Sequence, residues 1–203
     1  MSTPKVAVLY YSATGANHQI ATWATDAAEA AGADVRRRIF RETAPQSAID
    51  GNEAWKQFRQ EVAPNETVAE LDDLEWADGI LFSVPTRYGN VCSQFAAFVD
   101  TTGGLWFQGK LADKVVSAFT SAQNPNGGLE TTLESIYKTV IHWGGIIVPP
   151  GYTDKSIFAA GGNPAGTSAV VDGQGNIRNA EAIEAAVRHQ TKRTVEITRR
   201  LLG

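Results

Sequence analysis

Apolar residues run almost unbroken through Lys5 to Tyr11 (KVAVLYY), Asp78 to Pro85 (DGILFSVP), Lys114 to Ser121 (KVVSAFTS) and Gly145 to Val148. Short continuous runs of this kind are strands covered on both faces by helices. Val35 to Phe40 reads as a further strand, but Arg36, Arg37 and Arg38 suit an edge position better than a central one. Between the strands the period changes to three and four residues, the spacing of one helix face. Asn17 to Ala31 carries Ile20, Ala24, Ala27 and Ala31, and Gly32 ends it. Cys92 to Thr102 carries Phe95, Phe98, Val99 and Thr102, and Gly128 to His142 carries Leu129, Leu133, Ile136 and Val140. A last helix from about Ala180 to Leu202 would bury Ile183, Val187, Thr191, Val195, Thr198 and Leu202.

Two stretches do not fit this alternation. Residues 41–75 form a long excursion in which Trp55, Phe58 and Val62 predict one short helix, and residues 150–176 read as a Gly-rich loop. Strands alternating with helices predict an α/β fold, a parallel sheet with helices on both faces. Neither a repeat nor a linker divides the chain, so residues 1–203 are expected to form one domain with insertions at about 41–75 and 150–176. In open sheets of this type ligands sit at the carboxyl ends of the strands. The loops after the first, third and fourth strands are therefore the places to examine.

Composition narrows the function classes. Apolar residues make up 43% and charged residues 20%, ordinary for a soluble globular protein. A net charge of −4 gives no electrostatic case for nucleic acid or an anionic membrane surface. The single cysteine, Cys92, excludes an internal disulfide, and His18, His142 and His189 are too scattered for a metal cluster. Cys92 opens a helix but reads as a buried structural thiol. The amino-terminal apolar run reads as a strand and not a signal peptide, and no run approaches the ~18 apolar residues of a membrane span. These features predict a cytoplasmic protein with no membrane insertion.

The first strand runs into Ser12, Ala13, Thr14, Gly15, Ala16 and Asn17. Small and hydroxyl residues before a helix can wrap a phosphate with backbone N–H groups, and Ser12, Thr14 and Asn17 can add side-chain donors. The same residues could equally form an ordinary capped turn. No Lys or Arg lies in the loop, which suits a monophosphate better than a polyphosphate with magnesium. The dinucleotide pattern G-x-G-x-x-G is absent here. A P-loop look-alike, Gly104 to Lys110, follows a predicted helix and has Leu111 where Ser or Thr is required. After the third strand stand Pro85, Thr86, Arg87, Tyr88, Gly89 and Asn90. Arg87 can offer forked donors to the carbonyl oxygens of a flat heterocycle, and Tyr88 can stack on a ring. Taken alone, this is also a plain surface turn.

Together YYSATG at the first loop, PTRYGN at the third, TTGGLW at 101–106 and IVPPGY at 147–152 resemble the WrbA family, in the right order and over nearly the whole chain. These are flavodoxin-like NAD(P)H:quinone oxidoreductases that bind FMN. The resemblance implies a five-stranded sheet in the order 2-1-3-4-5. It implies two-electron reduction of quinones by NADH or NADPH, in a ping-pong cycle of hydride transfer through flavin N5. It implies that Ser12 to Asn17 hold the phosphate and that Pro85, Thr86, Arg87 and Tyr88 border the ring. Ser121, Ala122, Gln123, Gly127 and Gly128 would line its far side. Trp106 would wall the substrate pocket, contributed between subunits of a homotetramer, and Tyr11 would lie near the nicotinamide donor. Arg87 and Trp106 are thus the candidate catalytic residues, and Tyr11 and Trp106 the candidate substrate residues.

Two departures stand out. The loop after the fourth strand, Ser121 to Gly128, is one residue longer than the family's and contains Pro125. The family's His-His-Gly is here His142-Trp143-Gly144, so Trp143 would stack on the ring where relatives offer a histidine. Trp106, Tyr88 and Trp143 would then form an aromatic slot for flat quinones. Two other functions are open to such a fold: a flavodoxin-type electron carrier, or a non-enzymatic accessory protein of a transcription factor. A carrier would be more acidic, and nothing helix-turn-helix-like supports the accessory role.

Overall fold

The computed structural model describes residues 2–203; the expected domain start at Met1 lies outside them. In chain order the elements are β1 (Lys5–Tyr10), α1 (Ala16–Ala30), β2 (Asp34–Ile39), α2 (Gln46–Asp50), α3 (Glu53–Glu61), α4 (Leu71–Trp76), β3 (Gly79–Arg87) and β4 (Asn90–Val91). They continue with α5 (Ser93–Asp100), α6 (Gly103–Phe107), β5 (Val115–Ala122), α7 (Leu129–Trp143), β6 (Ile146–Ile147), α8 (Lys155–Ala159), β7 (Ser168–Val170) and α9 (Ala180–Leu202). The main path of the sheet is β2-β1-β3-β5-β6, all parallel. This is the expected 2-1-3-4-5 order in a chain that has two additional short strands. The arginine-bearing β2 lies at the edge.

Alternate residues of β1 point to opposite layers. Ala7, Leu9 and Tyr11 join Phe82, Phe95, Leu133, Ile136 and Trp143 under α5 and α7. Val6, Val8 and Tyr10 join Leu81, Phe119, Ile20, Ile183 and Val187 under α1 and α9. Both faces of the central strands are thus withdrawn from water, which explains their lack of polar alternation. All parallel carboxyl ends therefore open on one rim.

The structure departs from the sequence reading in five places. The excursion holds α2 and α4 besides the expected helix; α4 carries a capping box between Glu70 and Asp73. The expected helix from Cys92 to Thr102 stops at Asp100, because the hydroxyls of Thr101 and Thr102 donate back to Phe98 O at 2.6 Å and Val99 O at 2.7 Å. The expected strand Gly145 to Val148 is reduced to Ile146–Ile147, and β7, from within the Gly-rich stretch, pairs with the far end of β5. Leu202 is exposed; the buried stripe of α9 ends at Thr198. The same helix buries Gln190, whose amide donates to Ser117 Oγ at 2.7 Å and Ala118 O at 2.9 Å.

Candidate functional site

A cleft of about 830 Å³ opens where β1, β3 and β5 end. Its walls include Ser12, Ala13, Thr14, Ala16, Asn17, Pro85, Thr86, Arg87, Tyr88, Ser121, Ala122, Gln123, Gly127 and Gly128. The three strand-end loops therefore converge on one space, as the sheet topology requires.

The first loop enters α1 through Gly15, which adopts the left-handed φ of 102° as N-cap. Its N–H donates to Ser12 Oγ at 3.0 Å. The N–H groups of Ala13, Thr14, Ala16 and Asn17 find no acceptor among the described residues. Ala16 and Asn17 are buried, so these amides are short of a partner that water reaches poorly. Donors clustered at the start of a 15-residue helix form an anion seat. Gly15 shapes this turn without lining the cleft. The side chain of Asn17 is partly committed, leaving one N–H of its amide without a partner among the described residues. Its Nδ2 donates to Ser83 Oγ at 3.1 Å, and its Oδ1 accepts from Ser121 Oγ at 2.5 Å.

The third loop is a two-residue hairpin. Arg87 pairs with Asn90, and the two residues between them, Tyr88 (φ 52°) and Gly89 (φ 79°), are both left-handed, the signature of a type I′ turn. Tyr88 is fully exposed at the tip. Arg87 donates to the neighbouring Thr86 carbonyl at 2.9 Å. The hairpin is fastened to the Gly-rich loop by Thr86. Its Oγ1 accepts from Thr132 Oγ1 at 2.7 Å and from Gly89 N at 3.2 Å, and donates to Gly127 O at 3.3 Å. Gly128 (φ 85°) sits so close to the hairpin that a β-carbon there would lie 2.3 Å from Gly89 Cα.

Besides Gly15, three candidate residues do not line the cleft. Trp143 is buried in the core with its ring 6.4 Å from that of Phe82, because it occupies the inward face at the end of α7. It neither stacks on a ligand ring nor joins an aromatic slot. Tyr11 is fully buried and its hydroxyl donates to Glu42 Oε2 at 2.8 Å. Burial first, then the neighbouring Glu42 carboxylate, push its hydroxyl pKa up. Trp106 lies on α6, 54% exposed, with Nε1 donating to His142 O at 3.0 Å. It is outside the cleft of its own chain.

The sequence reading missed Asn52 and Trp55, and Val171 and Asp172, all of which line the cleft; Asn124 and Asn126 join them from the expected Ser121 to Gly128 loop. Trp55 enters the sequence reading only as one of the helically spaced residues that predict the short helix. Asn52 has a legible signal as N-cap of α3, accepting from Trp55 N at 3.0 Å. Val171 and Asp172 carry none, since only the pairing of β7 with β5 brings them to the rim. Asp172 is the one carboxylate on the wall, and its oxygens accept from Gln174 N, Asn176 N and Asn176 Nδ2. Arg87 is the one cation among the described lining residues.

Comparison with known proteins identifies the family. Residues 4–156 match the family described as NADPH-dependent FMN reductase. A protein of Deinococcus radiodurans named NAD(P)H dehydrogenase (quinone) is 52% identical over 206 aligned residues, covering 100% of both chains. One of the same name from Azorhizobium caulinodans is 38% identical, covering 98% of this chain and 99% of its own. Among solved structures, a flavodoxin, WrbA-like protein from Agrobacterium tumefaciens superposes with a TM-score of 0.67 at 21% identity, covering 98% of this chain and 99% of the other. Megasphaera elsdenii flavodoxin does so with a TM-score of 0.54 at 17% identity, covering 94% and 98%. At those identities the solved structures speak for the flavodoxin-like fold. The chain belongs to the NADPH-dependent FMN reductase family and, at 52% identity over its whole length, groups with the NAD(P)H dehydrogenases (quinone), on a flavodoxin-like fold.

Proposed function

We propose that the cleft binds FMN without a covalent bond and that the protein reduces quinones with two electrons from NADH or NADPH. The observation that carries this reading is the set of unpaired amides at Ala13, Thr14, Ala16 and Asn17, with no Lys or Arg among them. Neutral donors at a helix start suit the single phosphate of FMN. Bound FMN supplies a ring that takes two electrons from a nicotinamide and passes them to a quinone.

The chain's own residues do the rest. The amides of Ala13, Thr14, Ala16 and Asn17 would hold the phosphate. Thr86 and Thr132 fix the hairpin against the Gly-rich loop, so that Pro85 to Tyr88 and Ser121 to Gly128 border the ring from two sides. Among the described lining residues Arg87 supplies the only positive charge, which would stabilise electron density that builds up on the ring. Tyr88, at the mouth, offers a flat face to incoming rings. Donor and acceptor use this same opening in turn.

The reading extends to a homotetramer in the cytoplasm, with Trp106 reaching the cleft of a neighbouring subunit. Its support is the exposed cluster of Trp106, Phe107 and Ile141 beside α6 and α7. Sedimentation of the purified protein tests the assembly.

The direct test is colour. The protein titrated with FMN turns yellow at near-equimolar occupancy, and mixing with NADH or NADPH bleaches it. A preparation that stays colourless under excess FMN ends the reading. A docking electron carrier would take up FMN and resist bleaching by the nicotinamide, so the same experiment separates the two.

A further inference from the structure

Trp55 belongs to the excursion between β2 and β3, yet it lines the cleft. Both of its nitrogens are tethered. Its backbone N–H donates to Asn52 Oδ1 at 3.0 Å, and its indole Nε1 donates to Glu42 Oε2 at 3.2 Å. Glu42 is itself fixed. It also accepts from Tyr11 Oη at 2.8 Å, Gln94 Nε2 at 2.6 Å, and the amides of Thr43 and Ala44, each at 2.9 Å. One carboxylate thus gathers the end of β1, the start of α5 and the indole of α3.

The direction of α3 matters. Its first turn supplies Asn52 and Trp55 to the main cleft, while Phe58 and Val62 line a separate hollow beside Gly15 and His18. Trp55, Phe58 and Val62 share one helical face, and the indole sits at its amino-terminal end, packed against the layer under α5 and α7, while Phe58 and Val62 pack against the opposite layer. Trp55 and the hairpin residues Arg87, Tyr88 and Gly89 line the same cleft. An indole half-buried against the core and half open to the cleft is a rigid flat wall with two locked ends. Among the described lining residues the only aromatic side chains are Trp55 and the exposed hairpin Tyr88; the rest are small, polar or aliphatic.

We propose that Trp55 is a specificity-determining residue that favours flat, fused-ring quinones by stacking, and that Glu42 is the positioning residue that holds its indole in place. This rests on the function proposed above and adds the acceptor class to it.

The test uses the FMN-loaded protein and Trp55→Ala, Trp55→Phe, Glu42→Ala and the double variant Trp55→Ala/Glu42→Ala. The first readout is the KM for 1,4-naphthoquinone relative to that for ferricyanide, which needs no stacking. This ratio rises about tenfold in Trp55→Ala and in Glu42→Ala, one aromatic pair converted at a decade per 1.4 kcal/mol. Trp55→Phe keeps it within about threefold of the parent, because a ring is retained. The second readout involves no turnover: the affinity for naphthalene-1-sulfonate, followed by perturbation of tryptophan emission. It falls in parallel, and the double variant loses no more than Trp55→Ala alone, since Glu42 acts through the indole. An unchanged ratio in Trp55→Ala, or losses that add in the double variant, would overturn the proposal. Trp55→Leu replaces Trp55→Ala if the latter does not fold. Failure of the parent protein to take up FMN or to be bleached by NAD(P)H would instead overturn the function itself.

Discussion

The side-chain oxygen of Asn17 accepts a hydrogen bond from Ser121 Oγ at 2.5 Å, joining residues 104 positions apart. The amide nitrogen of the same Asn17 donates to Ser83 Oγ, and Ser83 Oγ donates to the Asn17 carbonyl at 3.0 Å. The ends of β1, β3 and β5 are thus held at a fixed spacing by one buried amide.

Asn17→Ala leaves the Ser83 and Ser121 hydroxyls buried with fewer partners. The expected cost is about 1–3 kcal/mol of folding stability. Denaturant unfolding of the FMN-free protein measures it. FMN affinity falls as well, since the spacing of the three loops is lost. A variant as stable as the parent would show that the bridge does not hold the three strand ends together.

Gly128→Ala introduces a β-carbon into the 2.3 Å gap to Gly89 Cα, at a backbone φ of 85° that alanine adopts poorly. Backbone cannot yield as a side chain tip would. A loss of roughly 1–3 kcal/mol in stability, with weakened FMN binding, is expected. Thermal unfolding and a flavin titration on one preparation give both values.

Arg87→Ala removes the only cation among the described residues of the cleft wall. Reduction by NADH slows by roughly tenfold or more, in the range of a lost charge-stabilising donor. Arg87→Lys recovers little, because a forked planar donor is replaced by a point charge. Rapid mixing with NADH, read at the flavin absorbance, decides the matter.

The Glu42 carboxyl carries a pH signature. Burial alone would raise its pKa, but the hydrogen bonds from Ala44, Gln94, Tyr11 and Trp55 outweigh it and hold the group below its ordinary 4.5. A depressed folded pKa contributes stability that is complete above the unfolded value and is lost as pH falls through the folded one. The melting temperature of the parent therefore drops on acidification below about 4.5, and Glu42→Gln flattens that part of the profile. Parallel curves for the two proteins would refute the assignment.

Cys92 is fully buried, and burial pushes its thiol up to about 11. An inert thiol is the result. A colorimetric disulfide reagent should find no reactive sulfur in the native protein at neutral pH, and one equivalent after denaturation.

The sheet order, the outer position of β2 and the convergence of three loops were legible because buried parallel strands leave uninterrupted apolar runs. The loops then follow from strand polarity alone. What the sequence hid has a common cause, which is tertiary pairing. Trp143 has the composition of a stacking residue, and only the helical phase of α7 turns it into the core. Trp55 has the spacing of a core residue, and a distant carboxylate holds it at the rim instead. Asn17 has the chemistry of a phosphate donor, but two serines far along the chain also engage its amide. α4, by contrast, was readable from Glu70 and Asp73, whose capping box needs no distant partner.

The outermost lane of the sheet is occupied in two instalments. β6 takes Val115 and Val116 of β5, β7 takes Thr120 to Ala122, and the amide of Gln190 plugs the gap at Ser117 and Ala118. The intervening stretch, roughly 148–167, leaves the lane and rejoins it as a bypass. Its length can therefore change without sliding any strand out of alignment, which makes it the natural point for grafting a foreign peptide. The rejoining end delivers Val171 and Asp172 to the cleft, so a graft placed early in the bypass should spare the site, and one placed after Thr167 should not.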